Sequence, residues 1–328
     1  MFSISKINKD SFAHYLELPP ELRMMIIDEM LPDVRCIFAG CSRSSYKYAT
    51  SSKKWVQELS FCGFSETLLR ISVVYSNENY KGRFRHGFVL EFRKYNDNKK
   101  YMKYLVHEIP EKELWKIEMH SSTDLVSLAT QHFKQLLQCY QNTIKTLGLL
   151  GDLLQHHLKS FDFGIKSLNN LEILSLNVDP FKARRLLSII RRTLKVLTYQ
   201  GCFDYLIPKE IWEVCDRLSI SRMKLNKQQF LQLSASFIEI HIGYLTENDI
   251  FDIVKSWQNG TIGKENFIYL FHIDHSNFDV KQLFLLFGVD DDLENKRITL
   301  KHHKEDDKTA TLSYGYRLIT FVERNIEK

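Results

Sequence analysis

The sequence predicts a protein of mixed helices and strands, α+β or α/β. In it a small N-terminal helical unit precedes a repetitive strand–helix scaffold that ends in a β-hairpin. Three observations favour this fold class. Apolar residues recur at helical spacing near the N-terminus, an apolar template recurs after residue 141, and the C-terminal segment alternates apolar and polar residues by twos.

The composition is that of a globular chain. Of its 328 residues, 44% are hydrophobic and 26% are charged, which is near the average for folded domains and excludes a wholly disordered chain or a collagen. The net charge of +5 is small for this length. The densest basic groups, over 81–85, 93–103 and 184–192, are each interrupted by apolar or acidic residues. We interpret them as solvated surfaces rather than as a nucleic-acid site.

The cysteines and the N-terminus indicate where the chain resides. None of the six cysteines forms a C-x-x-C pair, so the sequence supports neither a zinc ribbon nor a redox motif. Met1–Lys9 lacks the apolar stretch of a signal peptide. No run reaches the ~18 apolar residues of a membrane span. We therefore expect reduced cysteines and an intracellular protein, in the cytoplasm, the nucleus or both.

The N-terminal unit opens with Leu18-Pro19-Pro20-Glu21-Leu22. Proline suits a helix start, because its missing N–H has no helical partner there. Apolar residues follow at steps of three and four, which places them on one helical face. Further short helices are predicted over 34–39 and 42–55, and so small a core often needs a partner to complete it. The residues on the shared face are Leu18, Leu22, Met25, Ile26 and Met30.

The intermediate segment over 57–140 combines strands with one helix. Runs over 69–75, 88–92 and 102–106 are rich in β-branched and aromatic residues, which indicates strands. Leu125–Tyr140 carries its apolar residues on one side, which predicts a helix.

The region over 141–328 repeats the template apolar-x-x-apolar-x-apolar. Equivalent positions lie roughly 22 residues apart, which is the period of leucine-rich repeats. Helix-length segments separate the templates, and Leu245–Trp257 begins with a capping-box pattern at Thr246. Because each strand–helix unit leaves an apolar face, stacked units predict an irregular leucine-rich-repeat-like α/β solenoid. Equivalent positions of the template are Leu174, Leu197, Leu218 and Ile240.

A β-hairpin is predicted to close the chain. Arg297–His302 and Thr309–Ser313 each alternate apolar and polar residues, and a polar turn separates them.

Two sets of residues follow a known pattern. The first is Phe12, Leu16, Leu18, Pro19, Glu21 or Leu22, Ile26 or Ile27, Leu31, Phe38 and the stretch Cys41-Ser42-Arg43-Ser44. The second is Phe230–Leu233, Phe237–Ile240, Leu245–Asp249, Trp257–Gly260 and Asp306–Leu312. The first set resembles an F-box and the second an F-box-associated (type 2) domain, the combination found in nematode F-box proteins. Asp307 departs from the pattern, since it stands where the associated domain has glycine.

The resemblance implies a three-helix F-box over 12–56, the intermediate segment over 57–140, and an F-box-associated, leucine-rich-repeat-like domain over 141–328. It further implies a substrate-recognition subunit of an SCF-type cullin-RING ubiquitin ligase. In that family the F-box docks on a Skp-type adaptor, which links it to a cullin, and the second domain holds a protein substrate. We expect neither a nucleic-acid nor a membrane partner.

The resemblance assigns five residues to adaptor binding: Leu18, Pro19, Leu22, Ile26 and Leu31. A structural reading stays open beside this one, in which the same side chains fill the unit's own core. The alternative function is an adaptor-independent, leucine-rich-repeat-like scaffold that binds another protein.

Nothing in the sequence indicates an enzyme. The adjacent pairs His156-His157 and His302-His303 do not face one metal ion, and Asp290–Asp292 lacks the EF-hand spacing. The chain has no G-x-S-x-G and no phosphate-binding glycine loop. We therefore expect no catalytic residues, no metal and no cofactor.

The substrate surface is not identified by any motif. On a solenoid it usually lies on the strand face or on the loops at one rim. Candidate strand positions are Glu172, Ser175, Lys195, Thr198, Ser219, Glu239 and His241.

Overall fold

A computed structural model describes the chain at residues 15–30, 38, 43–51, 56–65, 67–75, 87–95, 99–106, 112–119, 122, 124–151, 167–178, 180–190, 194–203, 215–223, 226–242, 245–262, 267–273, 278–289, 297–305 and 308–325.

Fourteen strands of these residues form one sheet. Its spatial order is β12-β13-β14-β11-β10-β9-β8-β7-β6-β1-β2-β3-β4-β5. The strands are β1 Val56–Ser65, β2 Leu68–Tyr75, β3 Gly87–Lys94, β4 Lys100–Val106, β5 Lys112–Met119, β6 Thr146–Leu150, β7 Ile173–Leu176, β8 Leu194–Phe203, β9 Cys215–Met223, β10 Phe237–Ile242, β11 Ile268–Ile273, β12 Arg297–Lys301, β13 Lys308–Gly315 and β14 Leu318–Asn325.

Seven α-helices accompany the sheet in the described part of the chain, together with a 3₁₀ turn at Tyr15–Glu17. They are α1 Pro20–Glu29, α2 Arg43–Ser51, α3 Leu125–Tyr140, α4 Pro180–Ser188, α5 Lys227–Leu231, α6 Glu247–Gln258 and α7 Val280–Leu286.

The sheet has a parallel centre and antiparallel flanks. Strand β1 pairs in parallel with β6, and β6 to β11 follow one another in parallel. On one side β1 to β5 continue as an antiparallel meander. On the other side β14 pairs antiparallel with β11, and β13 and β12 follow it.

The helices from α3 to α7 pack on one face. Sequential parallel strands lie side by side from β6 to β11, so right-handed crossovers place the intervening helices on the same face. The side chains of this first face are large and buried, and Phe61, Leu149, Leu176, Tyr199 and Ile240 form one row across it. The N-terminal helices join this side, because α1 contacts α2 and α2 contacts α3.

The predicted fold class is wrong. We expected a three-helix F-box followed by a leucine-rich-repeat-like solenoid, and the protein is instead one 14-stranded mixed sheet. The physical reason is that the parallel strands do not end at capping repeats. The second edge of β1 pairs with β2, and the second edge of β11 pairs with β14. The sheet therefore continues into antiparallel strands on both sides. The predicted C-terminal hairpin forms within this sheet as the antiparallel pair β12 and β13. Near the N-terminus the described residues hold α1, α2 and one helical residue between them, Phe38.

Several local predictions are confirmed. Helix α3 has the predicted bounds, and the Asp124 carboxylate accepts the Val126 N–H at its start. The capping box at Thr246 forms with Asp249. The predicted strands of the intermediate segment lie within β2, β3 and β4, whereas β1 and β5 were not foreseen. The helix predicted over 34–39 lies outside the described residues except at Phe38.

Candidate functional site

An apolar groove lies along helix α1. The most exposed large apolar side chains on it are Met25, 63% exposed, Leu22, 44%, and Ile26, 39%. Water around such side chains favours their burial against a partner. The groove encloses about 480 Å³. Its lining residues are Leu18, Leu22, Met25, Ile26, Glu29 and Met30.

The helical spacing of its residues gives α1 one side that lines the groove and another that is buried in the protein. Ile27 lies on the opposite side of α1 and is fully buried, while residues 22 and 26 are four apart and share the outer side. Pro20 occupies the first turn of the helix. At the other end the Met30 N–H donates to the carbonyl of Ile26, 3.1 Å away, and thereby holds Met30 in the groove.

Hydrogen bonds behind α1 fix the start of the groove. The Arg23 Nε donates to the Leu18 carbonyl at 2.7 Å, and its Nη1 donates to the Tyr48 hydroxyl of α2 at 3.4 Å. The Tyr15 ring packs edge-on against Phe38, with 5.3 Å between centroids. Burial raises the pKa of the Tyr15 phenol, and Tyr48 raises it further. Leu18 is therefore held by groups that face away from the groove.

Four of the residues assigned to adaptor binding line the groove or lie next to it. Leu18 is half-buried, Leu22 and Ile26 are exposed, and Pro19 is exposed at the helix start. Leu31 lies outside the described residues. Their role in binding stays a prediction.

Three groove residues were not assigned to the site: Met25, Glu29 and Met30. The two methionines carry the same helical spacing as Leu22 and Ile26, so the periodicity alone indicated them. Methionine is unbranched and adapts to irregular partner surfaces. The groove thus offers aliphatic and thioether contact with one carboxylate at its side, which suits binding rather than chemistry.

The second face of the sheet, opposite the helices, carries the candidate substrate positions. Ser175, Thr198, Ser219 and Glu239 lie opposite one another on β7 to β10 and form a cross-strand row. Glu172 and Lys195 are instead joined by an ion pair of 2.9 Å, before β7 and at the start of β8. The structure therefore brings four of the seven candidate positions into one row.

His241 and His272 stack at the end of this row. Their ring centroids are 4.7 Å apart, and the planes of the two rings are nearly parallel. The His272 Nε2 lies 3.0 Å from the Glu239 carboxylate, whose other oxygen accepts the Ser219 hydroxyl at 3.2 Å. These bonds use both carboxylate oxygens and fix the pair on the sheet.

The other groups with possible chemistry are structural or lie outside the described residues. His302 is buried, and its Nδ1 accepts the N–H groups of Lys304 and Glu305. His156-His157 and Asp290–Asp292 are outside the described residues. Within the described ranges, no three His, Cys, Asp or Glu side chains are placed to hold a metal ion.

In the described part of the chain, no helix combines the length and the apolar character needed to cross a bilayer. Comparisons with known proteins give no match, whether to a family model, to a curated protein or to a solved structure.

Proposed function

We propose that this protein is a substrate-recognition subunit of an SCF-type cullin-RING ubiquitin ligase and that the α1 groove docks on a Skp-type adaptor. The observation that carries the proposal is the row of exposed apolar side chains on α1, at Leu22, Met25 and Ile26. They lie within the segment whose sequence resembles an F-box.

Docking at this groove needs only one helix face. An amphipathic helix that leaves its apolar face outside its own core is a recurring way to bind another helix or groove. Here α1 buries Ile27 inward and keeps an apolar surface outward. The proposal therefore does not depend on a three-helix bundle.

The proposed role is that of a receptor without bond chemistry. By holding a protein substrate on the large sheet and the adaptor on α1, the chain raises the effective concentration of substrate lysines near the conjugating enzyme. Such a receptor works in the cytoplasm or the nucleus, where the adaptor and the cullin are found in this class of ligase.

The test is recovery of the adaptor and the cullin with the full chain. The variant Leu22→Lys/Ile26→Lys places two charges in the groove and leaves the buried Ile27 intact. We expect it to lose at least tenfold of the recovered adaptor. The matched control is Leu285→Lys on α7, because Leu285 is 45% exposed and lies on another helix. This control is expected to recover adaptor and cullin like the unmodified chain.

Circular dichroism of each variant checks that it folds. Unchanged adaptor recovery in the folded double variant would sink the assignment of the groove. Recovery of other proteins with neither adaptor nor cullin, from the unmodified chain, would overturn the ligase role in favour of an adaptor-independent interaction scaffold.

A further inference from the structure

One row of side chains crosses the second face of the sheet from β7 to β14. Strand pairing places its members side by side on six neighbouring strands. Five of the six are apolar, yet each of these is at least partly exposed and stands outside the buried core. We call this set the Arg217 row: Ile173, Val196, Arg217, Phe237, Ile268 and Val322.

The alternation of side chains along each strand produces the row. Its members' neighbours along the chain, such as Leu197, Leu218 and Ile238, are buried on the first face. The row itself therefore points to the second face. Solvent reaches Ile268 most among its apolar members, at 38% exposed. An apolar row in contact with water gains free energy when a partner covers it.

Arg217 is the one charged member of the row. Its guanidinium lies over the ring of Phe237 on the next strand, 3.9 Å from the centroid. The Arg217 side chain is exposed, and among the described residues no carboxylate forms an ion pair with it. Stacking uses the face of the guanidinium and leaves the N–H groups at its edge free for a bidentate bond to a carboxylate.

Two carboxylates of the second face bear on the charge of Arg217. Glu239 lies diagonally across from it, but its oxygens accept the Ser219 hydroxyl and lie 3.0 Å from the His272 ring nitrogen. Glu58 shares the register of the row at a distance of four strands, about 19 Å. Glu239 thus weakens the field of Arg217 without occupying its N–H groups, so recognition here depends on direct hydrogen bonds.

The dimensions of the row fit an extended chain. Six strands spaced about 4.8 Å apart give it a length of about 24 Å, which an extended segment of about seven residues spans. Such a segment directs every second side chain to the row, while its backbone needs hydrogen-bond partners. The hydroxyls of Ser175 and Thr198 flank the row on β7 and β8 and supply them. A helix about 10–12 Å wide would instead cover these hydroxyls with side chains.

We propose that the Arg217 row binds an extended segment of another protein in which apolar side chains flank one carboxylate. The N–H groups of Arg217 select the Asp or Glu, and the apolar members of the row bury the flanking side chains. In the proposed receptor this segment belongs to the substrate, and that assignment rests on the proposed function. The binding itself does not involve the adaptor, because the row and α1 lie on opposite sides of the sheet.

A protein segment fits the row better than a nucleic acid. Binding to a phosphate backbone uses several cations along the track, whereas one of the six row members is charged. Lys195, next to the row, is already paired with Glu172 at 2.9 Å. The Phe237 ring carries Arg217 over one face, which leaves less aromatic surface on which a base can stack.

The test uses fluorescence anisotropy with the full chain and the labelled heptapeptide Ser-Val-Ser-Glu-Ser-Val-Ser. A second peptide carries Gln in place of the Glu. We expect the unmodified chain to bind the Glu peptide at least fivefold more tightly. The variant Arg217→Gln should bring the two Kd values within twofold of each other. The matched control Lys281→Gln, at an exposed position on α7, removes one charge from the other side of the sheet and should keep the preference.

The apolar part of the row has its own variant. Ile268→Ser removes an exposed apolar side chain and leaves Arg217 and Phe237 in place. We expect it to raise the Kd of both peptides at least threefold and to keep the preference for Glu. Thermal unfolding of each variant checks that it folds.

Four results contradict the proposal. These are no binding of the Glu peptide by the unmodified chain, equal affinity of that chain for the two peptides, an unchanged Kd in Ile268→Ser, and tighter Arg217-dependent binding of a single-stranded RNA decamer. Adaptor recovery with Arg217→Gln should match that of the unmodified chain. Failure here and failure of the ligase assignment are therefore separate outcomes.

Discussion

Phe61 on β1 stacks on Phe133 of α3, with their ring centroids 5.2 Å apart and their planes inclined by 28°. Both side chains are fully buried. Strand β1 is the junction of the sheet, since it pairs with antiparallel β2 on one side and with parallel β6 on the other. This stack therefore anchors α3 at the point where the two halves of the sheet meet.

Replacement of Phe133 by alanine should destabilise the protein by about 3–5 kcal/mol, because it removes a buried aromatic side chain and leaves a cavity against Phe61. Urea unfolding followed by circular dichroism measures the change. The control Gln131→Ala, at an exposed position of the same helix, should stay within about 0.5 kcal/mol. Equal effects of the two variants would contradict the role of the stack.

A pair of glycines tests how closely β1 and β6 approach. Gly151 follows β6 with a φ of 104°, and a Cβ there would lie 2.1 Å from the Gly63 carbonyl oxygen of β1. Gly288 also has a positive φ, 78°, but a Cβ there meets nothing within 4 Å. We expect Gly288→Ala to cost about 1–2 kcal/mol from backbone strain alone. Gly151→Ala should cost more, because the two strands must also separate.

Thermal and urea unfolding of both glycine variants provide the comparison. A smaller loss for Gly151→Ala than for Gly288→Ala would contradict a close approach of Gly151 to the Gly63 carbonyl.

The capping box of α6 gives a prediction at a surface position. The Thr246 hydroxyl accepts the Asp249 N–H at 3.2 Å, and the Asp249 carboxylate accepts the Thr246 N–H at 2.9 Å. Thr246→Ala should lower the free energy of unfolding by about 1 kcal/mol. The neighbouring Asn248→Ala, at an exposed position inside the same turn, serves as the control and should have a smaller effect.

His132 on α3 makes stability depend on pH. Burial lowers the pKa of its imidazole below the ordinary value of 6.5. Below about pH 6.5 the unfolded chain therefore binds a proton that the folded protein does not, and stability falls as the pH falls toward the folded pKa. Above that window His132 contributes no slope.

The variant His132→Gln isolates this contribution, because glutamine is neutral at every pH. Urea midpoints at pH 7.5 and pH 5.5 should differ less in His132→Gln than in the unmodified chain, while the remaining histidines contribute to both. An equal drop in the two proteins would refute the assignment to His132.

Local structure followed from the sequence where neighbouring residues decide it. The spacing of Leu22 and Ile26 defined one face of α1, and Thr246 with Asp249 defined the start of α6. Both depend on interactions within one or two helical turns, which a short window contains. The exposed groove on α1 was visible in the same way, although its methionines were left out of the assigned site.

The basic residues show the opposite case. Arg70, Glu91 and Lys103 are distant in the sequence, and only the antiparallel register of β2, β3 and β4 places them opposite one another. The sequence presented their region as dispersed charge. The ladder places the Arg70 guanidinium 2.7 Å from the buried Glu91 carboxylate.

The sequence by itself determined most of the local elements, namely the amphipathic face of α1, the helix over 125–140 and the strand positions that recur along the chain. Only the tertiary structure decided how the strands join into one sheet. The pairing of Leu59 with Leu147 and of Leu270 with Thr320 connects segments far apart in sequence, and either edge of a strand satisfies its hydrogen bonds equally well. The choice between a capped solenoid and a continuous mixed sheet therefore depends on which long-range partner closes each edge, and periodicity carries no information about that partner.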